Sequence, residues 1–398
     1  MRAYTAAGEE ALRARNLLKD WAGEGFLTPA QYQRMEQETV CDLRRTNIFL
    51  RLVLFLFTLI IVAAAVALFF AEIVPDSARK SPSILLLLLA GLCYGGAEAA
   101  VSQARLYRYG IEEALLACSV GFLCVGIAFA VSGDLFSTLR PHGNEWLIPA
   151  AGAIASLWIW RRFGLFYAFL AAMIFAAGLA GLWSSSAPLQ HLILVAIYGA
   201  GLAAIVAMRP RHRFTHLNHD YSIAEALLWL GVYLSINLQI SPVNLLGSWR
   251  GDLRNVSQFA KPFYWATWVL IWCLPPLVLA RGLRTKDRLV IAVGALTAVL
   301  TLATNKPYFG WQPHTWDPML LGALLIGTAL FIRRWLAQGP DGVRRGFTAR
   351  RLSSQDKRWL NAGSVTIGAL TPQSAPEHSE GSFFGGGDSG GGGATSDF

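Results

Sequence analysis

Long apolar blocks, separated by short polar segments, organise this chain. The first, IFLRLVLFLFTLIIVAAAVALFF, covers residues 48–70. At 1.5 Å per residue such a block matches the hydrocarbon core of a bilayer. Ten blocks can be read, at about 48–70, 83–102, 112–131, 145–160, 163–183, 189–208, 221–241, 262–280, 288–304 and 318–335. None shows the alternation of a membrane barrel, so each predicts a helix. Two are irregular: the fourth is short and carries Pro149, and the seventh holds Glu225, Asn237 and Gln239. The pattern predicts an all-α integral membrane protein of about ten transmembrane helices. It divides the chain into a polar segment over 1–46, a bundle over 47–336 and a tail over 337–398.

The polar segment has its own helical signals. AGEEALRARNLLKDWA (7–22) places Leu12, Ala14, Leu17, Leu18 and Trp21 at near-helical spacing. GEGF then breaks the helix, and Thr28-Pro29-Ala30-Gln31 supplies a capping box for a second one. That second helix is expected to run to about residue 46 and feed the first span, which makes the segment a helical hairpin. No basic start, short apolar core and cleavage site precede the first block, so that span is expected to persist. At the other end the tail turns glycine-rich from Gly381, which predicts disorder.

The stretch LLKDWAGEGFLTPAQYQRMEQE, followed by RRTNIFLRLVLFLFTLIIV, resembles the start of a family of bacterial polytopic membrane proteins of unknown function. Trp21, Gly25, Leu27, Thr28 and Gln31 carry the likeness, which covers roughly the first 70 residues. It implies a bacterial inner-membrane protein with an N-terminal cytoplasmic hairpin. The family has no established chemistry to lend.

Composition agrees with the pattern: 54% of residues are hydrophobic and only 15% charged, against about 25% charged in a soluble domain. The net charge of +9 is a matter of topology. With ten spans and both termini in the cytoplasm, 26 of the 34 Lys and Arg lie inside and 7 outside. Removing either irregular span would put the basic 281–288 segment and the basic tail outside, against the positive-inside rule. Trp146, Trp158, Trp160, Trp183, Trp316 and Trp335 fall at or near span ends, where amphipathic rings favour the interface. The expected partner of the basic segments is therefore an anionic inner leaflet, with a protein partner at the hairpin and no nucleic acid.

Candidate chemistry is sparse. The tail contains GDSGG (387–391), the string around the serine of trypsin-like proteases, but no domain that could supply a His base and an oxyanion hole follows the last span. His212, His216 and His219 stand at i, i+4 and i+7 with Asp220 adjacent, spacing that suits a metal ion on one helix face, yet no HExxH-type signature accompanies them. A basic loop meeting lipid phosphates is the plainer reading. The five cysteines show no CxxC, and Cys93, Cys118, Cys124 and Cys273 read as small buried hydrophobes. The loop over 241–263 carries Arg250, Asp252, Arg254 and Lys261, short for the pyrophosphate-binding loop of a glycan enzyme. No catalytic, cofactor-binding or metal-ligating residue is predicted.

Arg51, Glu98, Glu112, Glu113 and Glu225 remain as ionisable groups within apolar blocks. All five lie about a turn from the cytoplasmic end of a span, where they can snorkel or pair, with Glu98 or Glu225 as partner for Arg51. The function class that follows is a non-enzymatic scaffold or sensor-like membrane component. A transporter or channel for a small solute is the alternative, and a membrane enzyme of surface-glycan assembly is third.

Overall fold

A computed structural model of the protein describes residues 2–23, 25–39, 43–44, 46–73, 82–132, 144–183, 186–212, 215, 217–241, 259–309, 314, 316–339, 343–344 and 347–348. Twelve α-helices are described. Two short ones come first: α1 (Ala6–Gly23) and α2 (Pro29–Glu38). The next five are α3 (Ile48–Leu68), α4 (Ser83–Ser102), α5 (Ile111–Ser132), α6 (Leu147–Phe163) and α7 (Phe166–Trp183). The last five are α8 (Ala187–Met208), α9 (Asn218–Ile236), α10 (Lys261–Thr285), α11 (Arg288–Tyr308) and α12 (Asp317–Ala337). Two-residue strands β1 (Val343–Arg344) and β2 (Phe347–Thr348) form one antiparallel pair.

Each apolar block is thus helical. Eight helices, α3–α5, α7, α8 and α10–α12, are long and apolar enough to cross a membrane. The two that fall short are the irregular blocks: α6 has 17 residues, and α9 carries Asp220 and Glu225. The chain is an all-α membrane protein.

The capping box forms, with the Thr28 hydroxyl accepting from the Gln31 N–H at 3.3 Å and the Gln31 side chain accepting from the Thr28 N–H at 3.0 Å. The second helix stops well short of residue 46. At Thr39 the hydroxyl and the backbone N–H both turn back to the Met35 carbonyl, which ends α2. Pro275 and Pro276 do not break α10, which runs on to Thr285; neighbouring helices in a bundle absorb such a pair. Cys93 is buried, but Cys273 faces outward and is no core residue.

Sequential helices pack in pairs, α4 on α5, α6 on α7, α8 on α9 and α10 on α11. Helix α9 touches α7, α8, α10 and α11, and so sits at the centre of the second half. Its Leu228, Val232, Tyr233 and Ile236 join Phe169, Met173, Leu194, Tyr198 and Leu202 in the largest apolar cluster. A second cluster, with Ala97, Val101, Leu116, Ile159 and Phe163, closes the first half and includes Tyr4. Helices α3 and α12 bury none of their span and present apolar surface outward, as helices in contact with lipid do.

Candidate functional site

Polar side chains gather where the starts of α3, α5, α9 and α11 meet the ends of α4, α6, α8 and α10. An antiparallel bundle brings these ends to one face. Asn47 caps α3 by accepting the Leu50 N–H at 2.8 Å, which fixes Arg51 in the first turn. Glu112 and Glu113 open α5, where the helix dipole favours acids. Glu112 accepts the Tyr109 N–H at 2.7 Å and is fully buried. Glu113 accepts from Arg51 Nε at 2.8 Å and again from Nη2, a two-point pair that joins α3 to α5. The loop before α5 passes so close that a side chain at Gly110, where φ is 106°, would strike the Arg51 carbonyl.

The second pair joins α4 to α6. Arg162 donates to Glu98 from Nε at 2.8 Å and from Nη2 at 3.2 Å. Tyr94 adds its hydroxyl to the same carboxylate at 3.0 Å, and itself accepts the Trp158 indole N–H at 2.9 Å. Both charged side chains are about a quarter exposed, 27% for Arg162 and 26% for Glu98.

In the second half the pairs fuse into a network. Glu225, fully buried on α9, accepts Arg209 at 2.5 Å on one oxygen and Arg281 at 3.0 Å on the other. Arg209 also pairs with Asp287, which accepts the Ser222 hydroxyl at 2.6 Å and the Leu289 N–H at 2.9 Å. Burial alone would raise the Asp287 carboxyl. The Ser222 hydroxyl, the Arg209 guanidinium and the Leu289 N–H outweigh it and hold the group below the ordinary carboxylate value. Four helix ends, those of α8, α9, α10 and α11, are thereby tied together.

The N-terminal residues lock onto this face. Arg2 pairs with Glu9 of α1 at 2.8 Å and with Asp220 of α9. Burial disfavours the Arg2 charge, yet these two carboxylates more than offset it and raise its pKa. The Ala3 N–H donates to the Arg162 carbonyl at 2.8 Å. Tyr4 packs edge-on against Tyr107 and Phe163, with ring centroids 4.7 and 6.5 Å away. Nearby, Arg2, Trp160, Arg161, His212, Asp220 and Tyr221 line a cleft of about 180 Å³.

The opposite end of α9 and α11 holds a second polar group. The Tyr233 hydroxyl lies 2.9 Å from the Thr301 hydroxyl, and the Asn237 amide donates to Thr304 at 3.0 Å and to Tyr233 at 3.1 Å. The Tyr308 hydroxyl accepts the Leu238 N–H at 2.9 Å. Thr297, Thr301, Thr304 and Tyr308 thus form one buried stripe on α11.

All five ionisable groups expected from the sequence lie at the first face; Arg51, Glu98, Glu113 and Glu225 form pairs other than those expected, and Glu112 accepts a backbone N–H. Arg51 meets Glu113, not Glu98 or Glu225, because packing of α3 on α5 decides its neighbour. Glu225 does not snorkel, since it is enclosed by protein and no part of it reaches solvent. Arg2, Arg162, Arg209, Arg281 and Asp287 were not singled out from the sequence, and Asp220, noted only beside the histidines, pairs with Arg2 instead. His212 closes a 3₁₀ turn and stacks on Tyr221 at 5.1 Å, while His219 belongs to the first turn of α9. They therefore do not share a helix. His216, the GDSGG string, the glycine-rich tail and most of the 241–263 loop lie outside the described residues.

Fold and site together define an all-α membrane protein whose helix ends are cross-linked by ion pairs on one face. Compared with known proteins, the chain matches no family model, no curated protein and no solved structure.

Proposed function

We propose that the protein is a non-enzymatic scaffold or sensor-like component of a bacterial inner membrane, with ten spans and both termini cytoplasmic. The observation that carries this reading is the double pairing of Arg2, which links α1 through Glu9 to α9 through Asp220. Any force on the N-terminal helices then reaches the centre of the bundle through a charged contact. Those helices form the cytoplasmic hairpin of the family that the opening residues resemble. Their exposed Leu17, Trp21, Phe26 and Met35 suit a protein partner. The test is twofold: a photo-crosslinker placed at Trp21 captures a discrete partner in native membranes, and proteoliposomes show no protein-dependent solute flux. Flux without a crosslinked partner would overturn the reading.

Transport of a small solute is the second reading, favoured by the hydroxyl stripe on α11. The stripe and Tyr233 and Asn237 occupy the same helix pair that carries Glu225 and Ser222 at its other end. Ionisable and polar groups on adjacent bundle-facing helices mark pathways in many membrane proteins. This reading predicts that Glu225→Gln loses flux while the protein still inserts.

A further inference from the structure

We propose that the cleft between the end of α6 and the start of α9 binds a small zwitterion, an α-amino acid with an apolar side chain. Gly164, at φ 68°, closes α6 and leaves Trp160 and Arg161 in its last turn. The turn after α8 brings in His212, whose carbonyl accepts the Thr215 hydroxyl at 3.0 Å and the Thr215 N–H at 3.2 Å. Asp220 and Tyr221 come from the first turn of α9. With Arg2 and Leu217 these residues line about 180 Å³, below the ~300 Å³ at which pockets for drug-sized ligands begin. Such a space suits a single amino acid and is too small for a nucleotide.

The cleft holds an uncommitted cation. Arg162 turns to Glu98, but Arg161 is exposed, and no carboxylate among the described residues pairs with it. A guanidinium grips a carboxylate through two parallel N–H donors. Asp220 is the complementary group. Arg2 gives it Nη2 alone, because Nη1 goes to Glu9. The second Asp220 oxygen takes no hydrogen bond from a described residue, although an ionised carboxylate has about four acceptor sites. An ammonium group fills that role.

Arg161 and Asp220 do not pair with each other, which leaves space between them for a ligand's own two charges. A phosphate fits less well, since the Asp220 carboxylate repels a dianion in the same space.

The remaining lining is largely apolar. The Trp160 ring meets Tyr221 edge-on with centroids 6.0 Å apart, and the His212 ring lies flat on Tyr221 at 5.1 Å with the planes 2° apart. Leu217 adds an aliphatic surface. Apolar walls with a few convergent polar groups are the usual make-up of a small-molecule site. An apolar side chain covers these walls while its α-carbon groups meet Arg161 and Asp220. Occupancy ties the end of α6 to the start of α9 beside the Arg2 contact, whether the protein acts as a scaffold or as a transporter.

The experiment uses the full-length protein purified in detergent. Leucine is titrated by calorimetry beside leucinamide, which lacks the carboxylate, N-acetylleucine, which lacks the ammonium, and glycine, which lacks the apolar side chain. Leucine is expected to bind, and each analogue to bind about tenfold more weakly, since each gives up one charged or apolar contact. Arg161→Gln is expected to weaken leucine about tenfold and to leave leucinamide unchanged. That substitution does not lower the stability of the unliganded protein, because Arg161 is exposed and pairs with no described carboxylate. Asp220→Asn also cuts the Arg2 contact, so the ammonium contact is tested on the ligand instead. N-acetylleucine binding as tightly as leucine makes the cleft a plain anion site and overturns the zwitterion. Absence of leucine binding, equal binding of all four compounds, or an Arg161→Gln variant that binds leucine like the parent chain also overturns the proposal.

Discussion

Glu225 receives Arg281 on the carboxylate oxygen that Arg209 leaves free, at 3.0 Å, and neither oxygen reaches solvent. One acid on α9 therefore holds the ends of α8 and α10. Removing one member of a buried pair strands the other charge and costs about 3–5 kcal/mol. A pair that water still reaches is worth about 1 kcal/mol or less. Glu225→Gln is expected to lower the thermal unfolding temperature in detergent strongly, and Glu98→Gln only slightly. Equal effects of the two substitutions would show that burial does not separate the sites.

Legibility in the sequence divides along physical lines. Apolar blocks announce helices because lipid and core both demand satisfied backbone groups, so all ten were readable to within a few residues. The capping box at Thr28 was readable because it is local. The end of α2 was not, since it depends on Thr39 turning back to Met35 and on Arg44 pairing with Leu106. The ion pairs were half readable: acids and bases near span ends stand out, but partners such as Arg51 and Glu113 are 62 residues apart. Arg162, Arg209 and Arg281 read as topogenic charge, and nothing local says that each also meets a carboxylate. Tyr4 carried no signal at all, being an isolated aromatic in a polar segment.

Asp287 makes stability depend on pH. Its carboxyl is held below its ordinary value, about 3.9. The unfolded chain therefore takes up a proton first as pH falls. The stabilisation is fully present above the ordinary value and is lost as pH drops through the depressed one. Thermal unfolding followed from about pH 6 to about pH 3 should show a smaller decline in Asp287→Asn than in the parent chain. Parallel declines would mean that the network with Arg209 and Ser222 does not shift this group.

Topology has a direct test. With ten spans and cytoplasmic termini, position 248 lies outside and position 353 inside. A cysteine introduced at Ser248, in a variant otherwise lacking exposed thiols, is expected to react with an impermeant maleimide on intact cells. One at Ser353 is expected to react only after lysis. Labelling of Ser353→Cys on intact cells would break the assignment and move the polar face to the other side.

Tyr4 offers the sharpest separation of packing from polarity. Its ring is 5% exposed among Tyr107, Phe163 and the first-half core, yet its buried hydroxyl has no hydrogen-bond partner among the described residues. Burial raises the phenol's pKa, so the hydroxyl stays neutral and offers a donor that no described residue accepts. An unsatisfied buried donor costs about 1–3 kcal/mol, whereas deleting a buried aromatic ring costs about 3–5 kcal/mol. Tyr4→Phe is therefore expected to leave the unfolding temperature unchanged or raise it, and Tyr4→Ala to lower it. Tyr4→Ala should also free the N-terminal residues, and faster proteolysis between Arg2 and Arg13 would report that release. If Tyr4→Phe proved as damaging as Tyr4→Ala, the hydroxyl must be bound, and the packing account of this contact would fail.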